Sequence, residues 1–214
     1  MKHIFLVLAV LLLPVPGVHA ALMTSAPAGT TYELTTISGN WANAPSVVAG
    51  GFSVDATPGN NVWYGDSFYN FASNGYWSSF AWVGGDCWYG DCTATIDLDG
   101  AYSSVGGFMN YSTSGVNPYE NNPIITAIGA DGATILESYD LSMAPIITPA
   151  GINDGAFRGI SRDTADIWFF RISGSYLAMH DLTLASASVP EPATLSLAGM
   201  GFAALALLRR RISK

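Results

Sequence analysis

The sequence predicts an all-β protein: an antiparallel two-sheet sandwich, jelly-roll-like, with an N-terminal signal peptide before it and a single hydrophobic helix after it. Three observations lead there. Segment after segment alternates apolar and polar residues with a period of two, while no long segment keeps a helical stripe. Turn residues, among them 23 glycines and 11 prolines, punctuate those segments at short intervals. The eight or nine strands so marked suit a two-layer sandwich, which hides sheet faces against each other. The division is residues 1–20, 21–188 and 189–214.

The front of the chain has the form of a signal peptide. Lys2 supplies a positive n-region, Ile4 to Leu13 is an unbroken apolar run, and Val18-His19-Ala20 places small residues at a cleavage site after Ala20. Ten apolar residues followed by Pro14, Pro16 and Gly17 are too short to span a bilayer.

Thr30 to Ile37 reads as a first strand, and Trp41 to Asn61 as loop and short strand around Pro45, Gly50-Gly51 and Pro58-Gly59. Val62 to Tyr89 is dense in aromatics interleaved with Gly, Asn and Ser, so some rings fall on loops. Thr93 to Leu98 alternates cleanly, with Ala94, Ile96 and Leu98 inward and Asp99-Gly100 closing the strand. Ser103 to Tyr111 follows, with Gly106-Gly107 marking a bulge or a close backbone approach. Ile124 to Ile128, a turn at Asp131-Gly132, and Thr134 to Leu141 form a hairpin, with Ile135, Tyr139 and Leu141 on one face. Ile167 to Ile172 and Tyr176 to Leu184, separated by Ser173-Gly174-Ser175, read as an antiparallel pair.

Charge narrows the functional classes. Between residues 21 and 188 stand fifteen acids and three bases, Arg158, Arg162 and Arg171, a formal charge of −12. Such a surface repels phosphate backbones and anionic lipid, which excludes nucleic acid as a partner and favours divalent cations and neutral sugars. The chain has two cysteines, Cys87 and Cys92, and in an exported protein their spacing around Gly90 reads as a local disulfide.

The tail carries the sharpest signal. Pro190-Glu191-Pro192 is held out of helix and central strand by its prolines and is accessible to a processing enzyme. Ala193 to Leu208 is uncharged; as a helix it reaches roughly 24 Å, marginal against a hydrocarbon core of about 30 Å. Arg209-Arg210-Arg211 and Lys214 follow and hold that end in the cytoplasm. These three features in order closely resemble the PEP-CTERM sorting signal of Gram-negative bacteria, also catalogued as an ice-binding protein C-terminal domain. The resemblance implies export, transient anchoring in the inner membrane, processing by signal peptidase and an exosortase, and delivery to the cell surface or extracellular matrix of a cell that makes exopolysaccharide.

Two looser resemblances concern the domain. Val105 to Tyr111, Gly132 to Tyr139, Phe157 to Ile160 and Asp181 to Leu184 are similar to stretches of lectin-like sandwiches. Gly65-Asp66-Ser67-Phe68 and Gly151-Ile152-Asn153-Asp154 resemble blocks of the GDSL-type esterases, which would make Ser67 a nucleophile, Asn153 an oxyanion donor and His180 a base. That family places an Asp three residues before its His, where this chain has Leu177, and its fold alternates helices with parallel strands. His180 shares parity with Tyr176, Leu182 and Leu184, the pattern of a core or edge histidine, and no enzyme is expected.

Loop acids offer one structural calcium site. Asp97 and Asp99 are its first candidate ligands, with Glu33 and Asp181 as a second pair and Asp86, Asp91, Asp131, Asn153 and Asp154 as further oxygens; the EF-hand pattern is missing. Trp63, Trp77, Trp82 and Trp88 are candidate platforms for sugar rings. The expectation is a structural or glycan-binding protein associated with exopolysaccharide.

Overall fold

The computed structural model describes residues 20–35, 41–66, 68–71, 75–78, 80–85, 92–111, 121–144, 156–174 and 177–186. In chain order the strands are β1 (Ala20–Met23), β2 (Thr30–Tyr32), β3 (Ala42–Ala44), β4 (Ser46–Ala49), β5 (Phe52–Ala56), β6 (Val62–Gly65), β7 (Phe68–Phe71) and β8 (Gly75–Ser78). There follow β9 (Trp82–Gly85), β10 (Thr93–Tyr102), β11 (Ser104–Tyr111), β12 (Ile124–Ile128), β13 (Ile135–Asp140), β14 (Phe157–Arg162), β15 (Ile167–Ser173) and β16 (Leu177–Ala185).

Every pairing is antiparallel. One sheet of eight strands runs β1-β14-β11-β16-β9-β6-β3, with β2 added to β16; the second, of six, runs β13-β12-β15-β10-β5-β4; β7 and β8 form a separate hairpin. The two large sheets pack as a sandwich, the architecture the alternation predicts. Its strands outnumber the expected eight or nine because Trp41 to Asn61 and the aromatic stretch break into short strands that turn residues delimit.

Val54, Ile96, Leu98, Ile125, Phe170 and Ile172 from the six-stranded sheet meet Val105, Met109, Ile160, Leu177, Met179, Leu182 and Leu184 from the other, all buried in one core. Each such side chain contributes roughly 1.5–3 kcal/mol on burial. Arg158 also points inward, in register with Gly107. Its Nε donates to Tyr111 Oη at 3.1 Å and its Nη1 to the Phe157 carbonyl at 2.8 Å. Burial pushes the Tyr111 phenol above its ordinary pKa, against the opposing influence of the Arg158 charge.

Several sequence expectations need correction. β15 and β16 are not partners: β15 lies between β10 and β12, and β16 between β11 and β9. The short link through Ser173 and Gly174 crosses from one sheet to the other. Gly174, at φ 116°, makes that corner, and its N–H donates to the Cys92 carbonyl at 3.0 Å. Asp99-Gly100 does not end its strand; Asp99, at φ 51°, lies within an irregular part of β10, which continues to Tyr102. In the hairpin an extra residue, Leu136, stands between the pairs Ala127–Glu137 and Ile128–Ile135, so Ile135 is 61% exposed while Leu141 is buried in a 3-10 turn. The strand expected from Thr30 to Ile37 is β2, which ends at Tyr32.

A bulge at Asp181 sets the facing of β16. Thr183 pairs with Gly106 and His180 with Phe108, so two residues of β16 stand against Gly107 alone. Asp181 has φ 54°. Met179 and Leu182 therefore both face the core, and His180 faces away from Leu182 and Leu184, not with them as simple parity implies. The expected bulge or close approach at Gly106-Gly107 is realised as both. A Cβ on Gly107 would stand 2.2 Å from the Asp181 carbonyl oxygen and 2.6 Å from Met179 Cγ.

Gly107→Ala is expected to destabilise by about 3 kcal/mol, lowering Tm by roughly 10 °C. Gly100→Ala, whose added Cβ meets nothing closer than 3.5 Å, should leave Tm within about 2 °C. Thermal denaturation of both variants checks this.

The β12–β13 turn carries a pH prediction. Asp131 accepts from Thr134 Oγ1 at 2.6 Å and from the amides of Thr134 and Ala133 at 2.8 and 3.0 Å, with the Thr134 hydroxyl the largest influence holding its pKa at about 2 against 3.8. Its support for the turn is complete above about pH 4 and is lost as pH falls through about 2. Amide shifts of Ala133 and Thr134 followed by NMR should titrate near 2; a midpoint near 4 would contradict the bonded turn.

Candidate functional site

The outward faces of the two sheets differ. On the eight-stranded sheet, Asn43, Trp63, Gly84, Ala178 and Asn110 lie in register across five strands, and His180, Phe108 and Phe157 across three. Gly84 and Ala178 give this face a low floor, and large rings fill it. Trp77, Trp82 and Ala178 form a second buried cluster, against which Trp41, Trp63 and Phe80 pack. Gly65 pairs with Trp82, and a Cβ there would lie 2.9 Å from the indole, so the glycine makes room for the ring.

His180 is enclosed in this layer at 2% exposure. Its imidazole stacks between Phe80, with centroids 4.2 Å apart, and Phe108, at 5.2 Å, and meets Trp77 edge-on at 4.7 Å. Nδ1 stands 3.2 Å from Asp181 Oδ2, yet neither ring nitrogen makes an aligned hydrogen bond. The imidazole is packed as an aromatic ring.

The outward face of the six-stranded sheet is polar. Ser46, Asp55, Thr95, Arg171, Thr126 and Ser138 are paired in that order from β4 to β13, a straight row across all six strands. Residues so paired share a face. Arg171 Nε donates to Thr95 Oγ1 at 3.1 Å, and the hydroxyls of Thr126 and Ser138 are 3.2 Å apart. Asp97, Phe169, Ile128 and Ile135 form a parallel row on one side, and Thr93, Ser173, Ile124 and Asp140 on the other. Trp168, next to Phe169 in β15 and so on the opposite face by alternation, is 38% exposed, while Thr126 and Ile128 on the outward face are buried.

The other two arginines of the domain are committed elsewhere. Arg162 forms a two-pronged pair with Asp166, at 2.7 and 2.9 Å, and donates to the Leu136 carbonyl at 3.2 Å. Burial tends to raise the Asp166 carboxyl, but its bonds to Arg162 and Thr164 outweigh this and hold it below its ordinary pKa. Arg158 lies in the core. Arg171 alone is left on an outward face, with no carboxylate within ion-pair distance among the described residues.

The sequence-predicted residues scatter over this frame. Trp77 and Trp82 are fully buried and present no ring face to solvent, which corrects their assignment as platforms; Trp63 is half-buried at the rim of the same cluster. Trp88, Ser67 and Asn153 lie outside the described residues, as do Pro190, Glu191, Pro192, Arg209, Arg210 and Arg211. Cys92 is buried and disulfide-bonded, and Cys87 lies outside the described residues. Asp97 Oδ1 accepts from the Asp99 amide at 3.1 Å, so this carboxylate is engaged in shaping its own strand. Among the described residues no three or more His, Cys, Asp or Glu gather where they could hold a metal ion. The row through Arg171 is not visible in the sequence pattern. Its signal lay in register across strands distant in sequence.

If His180 is a packed ring, His180→Phe keeps stability within about 1 kcal/mol of wild type, because it removes a buried polar group lacking good hydrogen bonds. His180→Ala should cost about 2–4 kcal/mol by leaving a void between Phe80 and Phe108. Denaturant unfolding of the two variants checks the contrast.

Residues 188–211 match the family profile described as the PEP-CTERM protein-sorting motif. No curated protein matches the chain.

Proposed function

We propose that this chain, an exported protein that its PEP-CTERM motif marks for sorting by an exosortase, is a non-catalytic surface or matrix protein that binds polysaccharide. The observation that carries this reading is the outward face of the six-stranded sheet. Hydroxyls, carboxylates and one guanidinium stand in register there, with Phe169 in the neighbouring row. Polysaccharides are recognised by this combination, since sugar hydroxyls bond to polar side chains while ring faces stack on aromatics.

The burial of His180 supports a role without catalysis. A general base must reach the proton it takes, directly or through one water, and a third group must orient it. This imidazole is stacked between two phenylalanines and holds no aligned hydrogen bond. The exopolysaccharide of a Gram-negative envelope is the partner that fits both the tail and the acidic domain.

Two measurements test the reading. The intact chain should be retained on polysaccharide shed by the producing cells and should give p-nitrophenyl ester turnover no greater in wild type than in Ser67→Ala. Loss of turnover in that variant would favour the esterase. Mass spectrometry of the surface fraction should find chains ending near Pro190-Glu191-Pro192; recovery of Lys214 there would contradict sorting by cleavage.

A further inference from the structure

Three Asp-Gly pairs stand in the chain, at Asp99-Gly100, Asp131-Gly132 and Asp154-Gly155, the last of them outside the described residues. We propose that Asp99 is a site of spontaneous covalent modification, where the main chain isomerises through a cyclic imide to an isoaspartyl linkage, and that the fold protects Asp131 from the same reaction. This chemistry is independent of polysaccharide binding.

The Gly100 nitrogen attacks Cγ of Asp99 in its neutral acid form. A C–N bond forms, the Cγ–OH bond breaks, and one water leaves with the carboxyl hydroxyl and the amide hydrogen. A second water then opens the five-membered ring. Attack at the side-chain carbonyl restores aspartate. Attack at the main-chain carbonyl breaks its C–N bond, returns a hydrogen to the nitrogen and leaves the chain running through Cβ and Cγ. Nothing is oxidised or reduced, and the product has the mass of the starting chain. The first step is favoured by a following residue without Cβ, by an amide outside the sheet ladder and by a carboxyl that no partner holds.

Asp99 meets all three conditions. β10 pairs with β15 at Asp97–Phe169 and next at Tyr102–Ile167, and with β5 no further than Ile96, so residues 98–101 fall outside both registers. Asp99 is exposed and has φ 51°, a conformation uncommon for a residue with a Cβ. Its amide donates to Asp97 Oδ1 at 3.1 Å, but its own carboxylate has no hydrogen bond or ion pair among the described residues. Room is left around Gly100, where an added Cβ would meet nothing closer than 3.5 Å.

Asp131 is exposed as well, yet it meets only the first condition. The Gly132 amide is engaged, donating to the Gly129 carbonyl at 3.0 Å. The carboxylate accepts from the Thr134 hydroxyl and from the amides of Thr134 and Ala133, which hold its pKa at about 2 and keep the neutral acid scarce at higher pH. Isomerisation at Asp99 adds one methylene to the main chain where β10 already departs from its partners. The pairs on either side keep their register, so the mark of age is carried without unfolding.

The test holds the intact chain at pH 5 and 37 °C for weeks and maps it by proteolysis and electron-transfer mass spectrometry, which separates isoaspartyl from aspartyl peptides. Asp99 should convert about tenfold faster than Asp131 or more, the weight of one well-made hydrogen bond, with the imide seen as the loss of one water. Thr134→Val, which removes the hydroxyl bond to Asp131, should raise conversion at Asp131 about threefold or more. Gly100→Ala should slow Asp99 about tenfold. In concentrated urea the two sites should convert at rates within about twofold, since both are then Asp-Gly in an open chain. Conversion at Asp131 as fast as at Asp99 in the folded protein, or none at Asp99, would overturn the site. A tenfold preference that persists in urea would overturn the protection by the fold.

Discussion

The fold turns on one extra residue in one strand. β16 lies near the middle of the larger sheet, bonded to β11 on one side and to β9 and β2 on the other. It is buried along nearly its whole length. A strand with both faces covered cannot use solvent to decide which side chains point where. Asp181 decides it: its positive φ carries the chain one residue further, so that Leu177 and Met179 before it and Leu182 and Leu184 after it all enter the main core. Without the bulge the second half of the strand would present Asp181 and Thr183 inward, since a slip of one residue exchanges the two faces. Gly107 is the complement of that choice, because only a residue without Cβ fits against the Asp181 carbonyl.

The two outward faces differ. His180, outward in the half of β16 before the bulge, stands opposite Phe108, and the two rings, with Phe80, Trp77 and Trp82, line an apolar layer on the back of the larger sheet. That face is spent on packing. The smaller sheet has only one core, and its outward rows keep hydroxyls and charges instead. The arginines divide the same way: Arg158 inside with Tyr111, Arg162 bound to Asp166, and Arg171 on the outward face of the smaller sheet, bonded to Thr95.

Sequence patterns read well wherever one strand alternates over one core. Thr93 to Leu98 is the clearest case, with Ala94, Ile96 and Leu98 fully buried as their spacing requires. The Ile124–Ile128 strand and the Asp131-Gly132 turn were equally legible, because the turn chemistry is local. Reading failed where one residue changed the period. Leu136 turned Ile135 out to solvent, and Asp181 reversed His180 relative to Leu182. It failed too where proximity in sequence suggested pairing, since Gly174 carries the chain between sheets where a hairpin was expected. Residue type alone cannot separate Trp82, buried against Gly65, from the partly exposed Trp168.

The described sheets end before the sorting motif begins. The last strand ends at Ala185, whose carbonyl accepts from both the amide and the hydroxyl of Ser103 at 3.0 Å. These bonds fix the end of β16 to the start of β11, ahead of the residues that match the sorting motif. Cleavage near Pro190-Glu191-Pro192 would therefore remove no residue of the described strands and no side chain of the described core. It would also remove Arg209, Arg210, Arg211 and Lys214, and with them half of the chain's eight basic residues. A chain so cleaved would carry a more negative net charge, and Arg171 would remain its only outward-facing cation outside an ion pair among the described residues.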